Sequence, residues 1–244
     1  MSHILIAGGD EAGRGAVIGP IVISVVSISK GRESRLSRIG VRDSKMLTRR
    51  MRNYLFDEIY SAAEEVKVYK ISASEINESM KNKISINELE AINFARLIDS
   101  LKKEPRKVFL DSPDVISERF GLRVRLFSKK QLLVAGMRRQ AAANSIRVIA
   151  EHKADARYPI VSSASIIAKV VRDGEIARIR KRENIEIGSG YPSDRITVEA
   201  IRRSLGSGRL SPYLREHWKT LKTIRQLKMD DFLGEAKPAS GAYG

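Results

Sequence analysis

Two adjacent carboxylates, Asp10 and Glu11, are separated by one alanine from a glycine-arginine-glycine sequence at residues 13–15. Carboxylate oxygens suit hard divalent cations such as Mg²⁺ or Mn²⁺, and glycines let backbone N–H groups come close to a phosphate. Arg14 adds a planar donor that matches phosphate geometry. The combination predicts metal-assisted chemistry on a phosphodiester, and the alternative is a solvated acid pair beside an ordinary turn.

The surrounding pattern predicts that this motif lies at the tip of a hairpin. An apolar run at residues 4–7 precedes it, and a run rich in β-branched residues at 21–26 follows it. No Gly-Lys-Ser/Thr follows the glycines, which excludes a phosphate-binding P-loop. A dinucleotide-binding fingerprint is also disfavoured, because Pro20 and β-branched residues stand where that fingerprint needs a helix.

Two further acids follow apolar runs that read as strands. Asp111 ends the run at residues 107–111, and the run at 146–151 leads into Asp155, so each of these acids, like Asp10 and Glu11, is predicted at the C-terminal end of a strand. Neighbouring strands stand ~4.8 Å apart, so acids at adjacent strand ends can reach two metal ions ~3.5–4 Å apart. Side chains alternate faces along a strand, so we expect Asp10 and Glu11 to share a site only where their strand ends. Taken singly, Asp111 could be a turn residue and Asp155 a surface acid.

Other signals place helices between these strands. Thr48 is a candidate N-cap, Ser85-x-x-Glu88 forms a capping box predicted to open a helix through residue 103, and a long helix is expected after Pro159. Residues 66–72 read as a third strand. Strands alternating with helices predict an α/β fold with a mixed sheet flanked by helices.

The rest of the sequence pattern predicts the domain boundaries. Residues 115–145 are basic, and their pattern fits either a helix or, at 122–126, a strand. From residue 189 onward, short polar and glycine-containing pieces predict a small helical C-terminal region. We expect a catalytic domain at 1–188, a substrate-binding region at 189–225 and a flexible tail at 226–244.

Composition points to a polyanionic partner. The 244 residues include 45 Lys and Arg against 29 Asp and Glu, a net charge of +16. Such an excess is typical of nucleic-acid-binding proteins. The absence of cysteine excludes disulfides, thiol nucleophiles and thiolate zinc sites. Neither a membrane span nor a signal peptide is evident, so we expect a cytoplasmic protein with no membrane association.

Five segments, in this order, resemble the type 2 ribonucleases H, and the archaeal ribonucleases HII in particular. They are Asp10-Glu11-Ala12-Gly13-Arg14-Gly15, Asp43-Ser44-Lys45, Leu110-Asp111-Ser112, His152-Lys153-Ala154-Asp155-Ala156-Arg157-Tyr158-Pro159 and Ser163-Ala164-Ser165-Ile166-Ile167-Ala168-Lys169. Departures are small: Gly9 replaces a usual aliphatic residue, Ala16 a common proline, and the stretch at 120–145 is longer than is typical.

The resemblance implies a ribonuclease H-like fold and cleavage of the RNA strand of RNA–DNA hybrids. It also implies incision 5′ to a single ribonucleotide in duplex DNA, giving 3′-hydroxyl and 5′-phosphate ends. On this basis two Mg²⁺ or Mn²⁺ ions are held by four acids: Asp10, Glu11, Asp111 and Asp155.

Substrate contacts follow from the same resemblance. Backbone groups of Gly13, Arg14 and Gly15 are expected to read the ribose 2′-OH, the group that separates RNA from DNA. Tyr191 is expected to stack on the neighbouring sugar, although a half-buried aromatic after a turn is the ordinary alternative. Lys45 and Lys169 are candidate phosphate contacts, against the alternative of solvated lysines.

The tail carries one more motif. Gln226, Met229, Phe232 and Leu233 have the spacing by which proteins dock onto a sliding clamp. The last three fall on one face of a helical turn, which suits a hydrophobic pocket. The alternative is an amphipathic helix packed on the body of the enzyme.

Two competing functions belong to other classes. A basic nucleic-acid-binding module without chemistry would be favoured by the loss of an acid, and all four are present. Another two-metal nuclease or strand-transfer enzyme of the same fold would cut DNA that lacks ribose. We expect a monomeric ribonuclease acting on hybrids and on ribonucleotide-containing duplexes.

Overall fold

A computed structural model of the protein describes residues 4–41, 47–136, 145–224 and 226. Six strands form one mixed sheet in the order β3-β2-β1-β4-β6-β5. They are β1 (Leu5–Ala12), β2 (Ile21–Ser29), β3 (Glu65–Ile71), β4 (Lys107–Asp111), β5 (Leu132–Val134) and β6 (Ile146–Glu151). β1, β2 and β3 pair antiparallel, whereas β1, β4, β6 and β5 pair parallel. The predicted α/β fold with a mixed sheet is confirmed.

Eight α-helices with defined bounds accompany the sheet in the described residues, and residues 219–224 are helical as well. The eight are α1 (Glu33–Arg38), α2 (Arg49–Ala62), α3 (Ala73–Lys81), α4 (Ile86–Asp99), α5 (Ser117–Phe127), α6 (Ala154–Arg157), α7 (Pro159–Glu183) and α8 (Arg195–Ser204). Helices α3, α4 and α5 cover one face of the sheet, and α1, α2 and α7 cover the other. None of the helices in this part of the chain is long and apolar enough to cross a membrane.

Several local signals behaved as expected. Thr48 accepts the backbone N–H of Met51 at the start of α2, and Ser85 accepts that of Glu88 at the start of α4. The predicted strand at 107–111 and the long helix after Pro159 are both present. The ambiguous stretch contains α5 and the short strand β5.

Other boundaries differ from the predictions. Helix α4 ends at Asp99 rather than at residue 103, because the backbone N–H groups of Lys102 and Lys103 donate to the Glu65 carboxylate instead. Helix α3 was not predicted. Its signal was a capping box in which Ser72, assigned to the preceding strand, bonds reciprocally with Glu75.

The C-terminal region packs on the main body through its own apolar cluster. Ile201, Leu210 and Leu221 are buried against Val17, Ile18, Ile176 and Ile179. Backbone bonds join the same two parts, because the N–H groups of Val17 and Gly19 donate to the carbonyls of Gly190 (2.9 Å) and Tyr213 (2.9 Å). The loop between β1 and β2 is therefore built partly by the C-terminal region.

Candidate active site

The parallel pairing of β1 with β4 brings three of the four predicted acids together. The register pairs Gly9 with Leu110, so Asp10 and Glu11 follow beside Asp111 at one edge of the sheet. Asp111 interacts electrostatically with both Asp10 and Glu11. The sheet topology thus assembles carboxylates that lie about 100 residues apart in the sequence.

Asp10 and Glu11 were expected at the end of their strand, and the observed end is one residue further along. Strand β1 continues through Ala12, and Asp10 and Glu11 pair with Ser24 and Ile23 of β2 as regular strand residues. Asp10 bonds the side chain of Ser165 on α7. Glu11 instead interacts with Glu90 on α4. The two side chains also hydrogen-bond each other, and the charge of Asp111 acts on both.

Asp155 does not end a strand. It is the second residue of α6, a short helix after β6, and its side chain is buried. Lys153 turns the chain into this helix through a left-handed backbone (φ 54°). The backbone N–H of Ala154 then donates to Oδ1 of Asp111 (2.8 Å). That bond fixes the start of α6, and with it Asp155, against the end of β4.

Burial makes the carboxyl groups of Asp10 and Glu11 unusually weak acids. Desolvation raises the pKa of Asp10 well above its ordinary value, and the charge of Glu11 raises it further. Desolvation, with the charge of Glu90, raises the pKa of Glu11 to about 8. Like charges held in a buried site favour the protonated forms unless a cation offsets them.

The donor set fits a divalent cation. Oε2 of Glu11 is buried without a hydrogen-bond partner among the described residues, and hard cations prefer carboxylate oxygen. Within the same residues, no three Asp, Glu, His or Cys side chains are already arranged around a single ion position. Binding a metal would therefore require carboxylate side chains to rotate toward it.

The loop after β1 is shaped by a glycine and two buried arginines. Gly13 adopts φ +90°, and a Cβ there would lie 2.3 Å from Nε of Arg172. Arg215 is fully buried and donates to two carbonyls of the loop, those of Arg14 (2.9 Å) and Gly19 (3.0 Å). The backbone of residues 13–19 is thereby held from both ends.

Tyr191 lies beside this loop. A Cβ on Gly15 would lie 4.0 Å from Cε1 of Tyr191. The guanidinium of Arg172 lies over the tyrosine ring and donates to the carbonyl of Ser189 (3.0 Å). The structure therefore brings Gly13, Gly15 and Tyr191 together around Arg172.

The structure describes Lys169 and Gln226, but not the other predicted lysine contact or the rest of the tail motif. Lys169 donates from Nζ to Oγ of Ser165 (2.9 Å), the residue that also bonds Asp10, so it borders the acid cluster. Lys45 lies outside the described residues, as do Met229, Phe232 and Leu233. Gln226 is described and exposed.

Three charged residues at this site were missed by the sequence reasoning. Arg172 is four residues before the buried Ile176, and Glu90 is four residues before the buried Phe94. A charged residue on the apolar stripe of a helix is a detectable signal, because charges are almost never fully buried without a partner. Arg215 lies in an irregular segment and offered no such signal.

Comparison with known proteins agrees with this geometry. A family model described as Ribonuclease HII matches residues 7–221. A ribonuclease HII of Pyrococcus abyssi is 41% identical over 235 residues, covering 93% of this chain and 97% of the relative. The crystal structure of the ribonuclease H2 from Pyrococcus horikoshii aligns with a TM-score of 0.79 and 40% identity, covering 93% and 99% of the two chains. The structure of a PCNA:RNase HII complex from Archaeoglobus fulgidus aligns with a TM-score of 0.75 and 39% identity, covering 88% and 96%.

Proposed function

Because this chain belongs to the ribonuclease HII family, we propose that its endoribonuclease activity cuts the RNA strand of RNA–DNA hybrids and incises 5′ to single ribonucleotides in duplex DNA. The products would carry 3′-hydroxyl and 5′-phosphate ends. The observation that carries the proposal is the pairing of β1 with β4, which sets Asp10, Glu11 and Asp111 at one sheet edge beside the loop at residues 13–15.

The four acids would hold two divalent cations, Mg²⁺ or Mn²⁺. Asp10, Glu11 and Asp111 supply carboxylates from the sheet, and Asp155 supplies one from α6. When bound, such ions supply an activated water and stabilise charge on the leaving 3′ oxygen. The acids act as ligands and are not themselves the attacking groups. Lys169, at the rim of the cluster, is suited to a phosphate oxygen.

Selectivity for ribose would come from the loop and from Tyr191. The 2′-OH both donates and accepts a hydrogen bond, so fixed backbone groups of Gly13, Arg14 and Gly15 can recognise it. Tyr191 beside Gly15 would pack on the adjacent sugar. A rigid reading loop supports this proposal, because binding groups must be held in place before the substrate arrives.

The division of labour proposed for the chain follows from these placements. Residues 1–188 would carry the chemistry, and residues 189–225 would contribute Tyr191 and a basic surface for the duplex. The cluster that joins the two parts supports coupling between them. Phosphate contacts by lysines and arginines would supply the sequence-independent part of duplex affinity.

The test is a cleavage assay with three duplexes of one sequence: DNA only, an RNA–DNA hybrid, and DNA with one ribonucleotide. Each is incubated with Mg²⁺, with Mn²⁺ and with a chelator. We expect the enzyme to cleave the RNA–DNA hybrid and the DNA with one ribonucleotide, and only when a metal ion is present. The cut in the second of these should lie on the 5′ side of the ribonucleotide. Efficient cutting of the all-DNA duplex would favour a different two-metal nuclease.

We also propose that residues 226–233 dock on a sliding clamp. The relative from Archaeoglobus fulgidus is described in a complex with PCNA. In this chain, Met229, Phe232 and Leu233 have the spacing of one apolar face of a helical turn. A clamp would raise the effective concentration of the enzyme on DNA without adding catalytic contacts.

A further inference from the structure

The side chain of Arg14 is turned into the protein. Its Nη1 pairs with Oε2 of Glu90, a side chain with no exposed surface, and its Nη2 donates to Oδ1 of Asn87. Both partners belong to α4, so two nitrogens of the guanidinium are engaged by one helix. About one third of the Arg14 side chain remains accessible.

Asn87 extends this contact to a second loop. Its Nδ2 donates to Oδ1 of Asp114, which is itself nearly buried and paired with Arg123 of α5 (3.2 Å). Asp114 lies three residues after Asp111, in the loop that follows β4. Asn87 therefore joins the loop after β1 to the loop after β4, and each loop follows a strand that carries candidate metal ligands.

Electrostatic attraction to two buried carboxylates favours the observed position of the Arg14 guanidinium. Glu90 and Glu11 are two buried carboxylates near each other, and Arg14 is the cation that opposes the charge of both. Moving the guanidinium toward a phosphate would break the hydrogen-bonded pair with Glu90 and leave Glu90 only the charge of Arg215 among the cations that act on it in the described residues. Breaking a buried pair by removing one partner is strongly destabilising. The contact with α4 is therefore favoured over a contact with substrate.

We propose that Arg14 is a positioning residue: Asn87 and Glu90 hold its side chain, and this fixes the backbone of residues 13–15 without a contact from the guanidinium to a substrate phosphate. The inference deepens the proposed function, because it assigns the reading of ribose to loop backbone that α4 holds in place. It also makes Asn87 a positioning residue for the same reaction.

The salt dependence of binding distinguishes a positioning role of Arg14 from a contact between its guanidinium and a phosphate. Each phosphate contact that a protein makes adds ~0.9 to the slope of log binding constant against log salt for B-form DNA. We expect Arg14→Ala and Asn87→Ala to leave that slope unchanged while kcat falls about tenfold and KM changes less than about twofold. Asn53→Ala, an exposed asparagine on α2, is the matched control and should change none of these quantities.

A double variant tests whether Asn87 acts through Arg14. If it does, Arg14→Ala with Asn87→Ala should lower kcat no further than the worse single variant. Losses that multiply, or a salt slope reduced by about one in Arg14→Ala, would overturn the proposal. Should Arg14→Ala fail to fold, an unchanged kcat in Asn87→Ala would overturn it as well. Wild-type cleavage of the ribonucleotide-containing duplex is scored separately, so failure here does not count against the proposed function.

Discussion

The guanidinium carbon of Arg172 lies 4.5 Å from the ring centroid of Tyr191. Arg172 is almost fully buried in α7, whereas Tyr191 belongs to the C-terminal region and is only partly buried. Because Arg172 also packs against Gly13, the pair connects the candidate sugar-stacking group to the candidate ribose-reading loop. Arg172 therefore adds a side-chain link between these two candidate substrate contacts, beside the backbone bonds from Val17 and Ile18 to Gly190.

Replacing Arg172 should therefore impair turnover more than binding. Arg172→Lys keeps the charge but loses the planar surface over Tyr191, a contact of ~0.5–2 kcal/mol. We expect kcat on a ribonucleotide-containing duplex to fall by about two- to thirtyfold, with little change in affinity measured without metal. Arg178→Lys, on an exposed position of α7, is the control. Equal losses of affinity and turnover would contradict this role.

Neutralising one sheet acid should abolish cleavage without unfolding the protein. Asp10→Asn removes a buried charge that its neighbours oppose, so the melting temperature without metal should hold or rise. Asp111→Asn keeps an oxygen able to accept the N–H of Ala154. Cleavage and thermal unfolding are measured on both variants, with the exposed Asp57→Asn of α2 as control. Near-normal turnover at saturating Mg²⁺ in either variant would remove that acid from the site.

Stability without metal should fall as the pH rises from about 4.5 to about 8. The pKa of Glu11 is raised in the fold from its ordinary 4.5 to about 8, so the folded state holds this proton more tightly than the unfolded chain. The stabilisation is complete below the unfolded pKa and lost as pH passes the folded one. Asp10 and Glu90, whose pKa values are also raised, act in the same direction.

Divalent cations should reverse this trend, because they compete with protons for the same oxygens. We expect Mg²⁺ or Mn²⁺ to raise the melting temperature more at pH 8 than at pH 5. Melting curves with each ion and with a chelator provide the measurement. An equal shift at both pH values would place the ion away from these carboxylates.

Gly8→Ala should lower the melting temperature of the protein. A Cβ there would lie 2.5 Å from backbone atoms of Ile160, where α7 crosses β1. Overpacking of this kind costs ~1–3 kcal/mol, which corresponds to a fall of roughly 2–12 °C in melting temperature for a chain of this size. Gly174→Ala, in open space on the same helix, should hold or raise it. Equal melting temperatures for the two variants would contradict the close contact.

The tail motif is tested by clamp binding together with stability. A chain ending at Arg225 and the full chain with Phe232→Ala should both lose affinity for the clamp and keep their melting temperature. Clamp binding that survives Phe232→Ala would reject the docking motif. A large fall in melting temperature on truncation would favour the alternative, in which these residues pack on the enzyme itself.

The sequence by itself determined the local elements and the chemistry of the candidate residues. Capping groups at Thr48 and Ser85, Pro159 at the start of α7 and alternating apolar runs are local signals, and the structure follows them. Ordered motifs predicted the family and, with it, the α/β fold. The predicted end of α4 was wrong because a distant side chain binds the backbone there. The Glu65 carboxylate accepts the N–H groups of residues 102 and 103.

Only the tertiary structure decided how the acids and the loop meet. The parallel pairing of β1 with β4 brings Asp111 near both Asp10 and Glu11. The burial of Glu90, Arg172 and Arg215 depends on helices and loops far apart in the sequence. Local patterns report the conformation of a few residues, whereas burial, charge pairing and the turning of Arg14 toward α4 arise only when distant segments pack together.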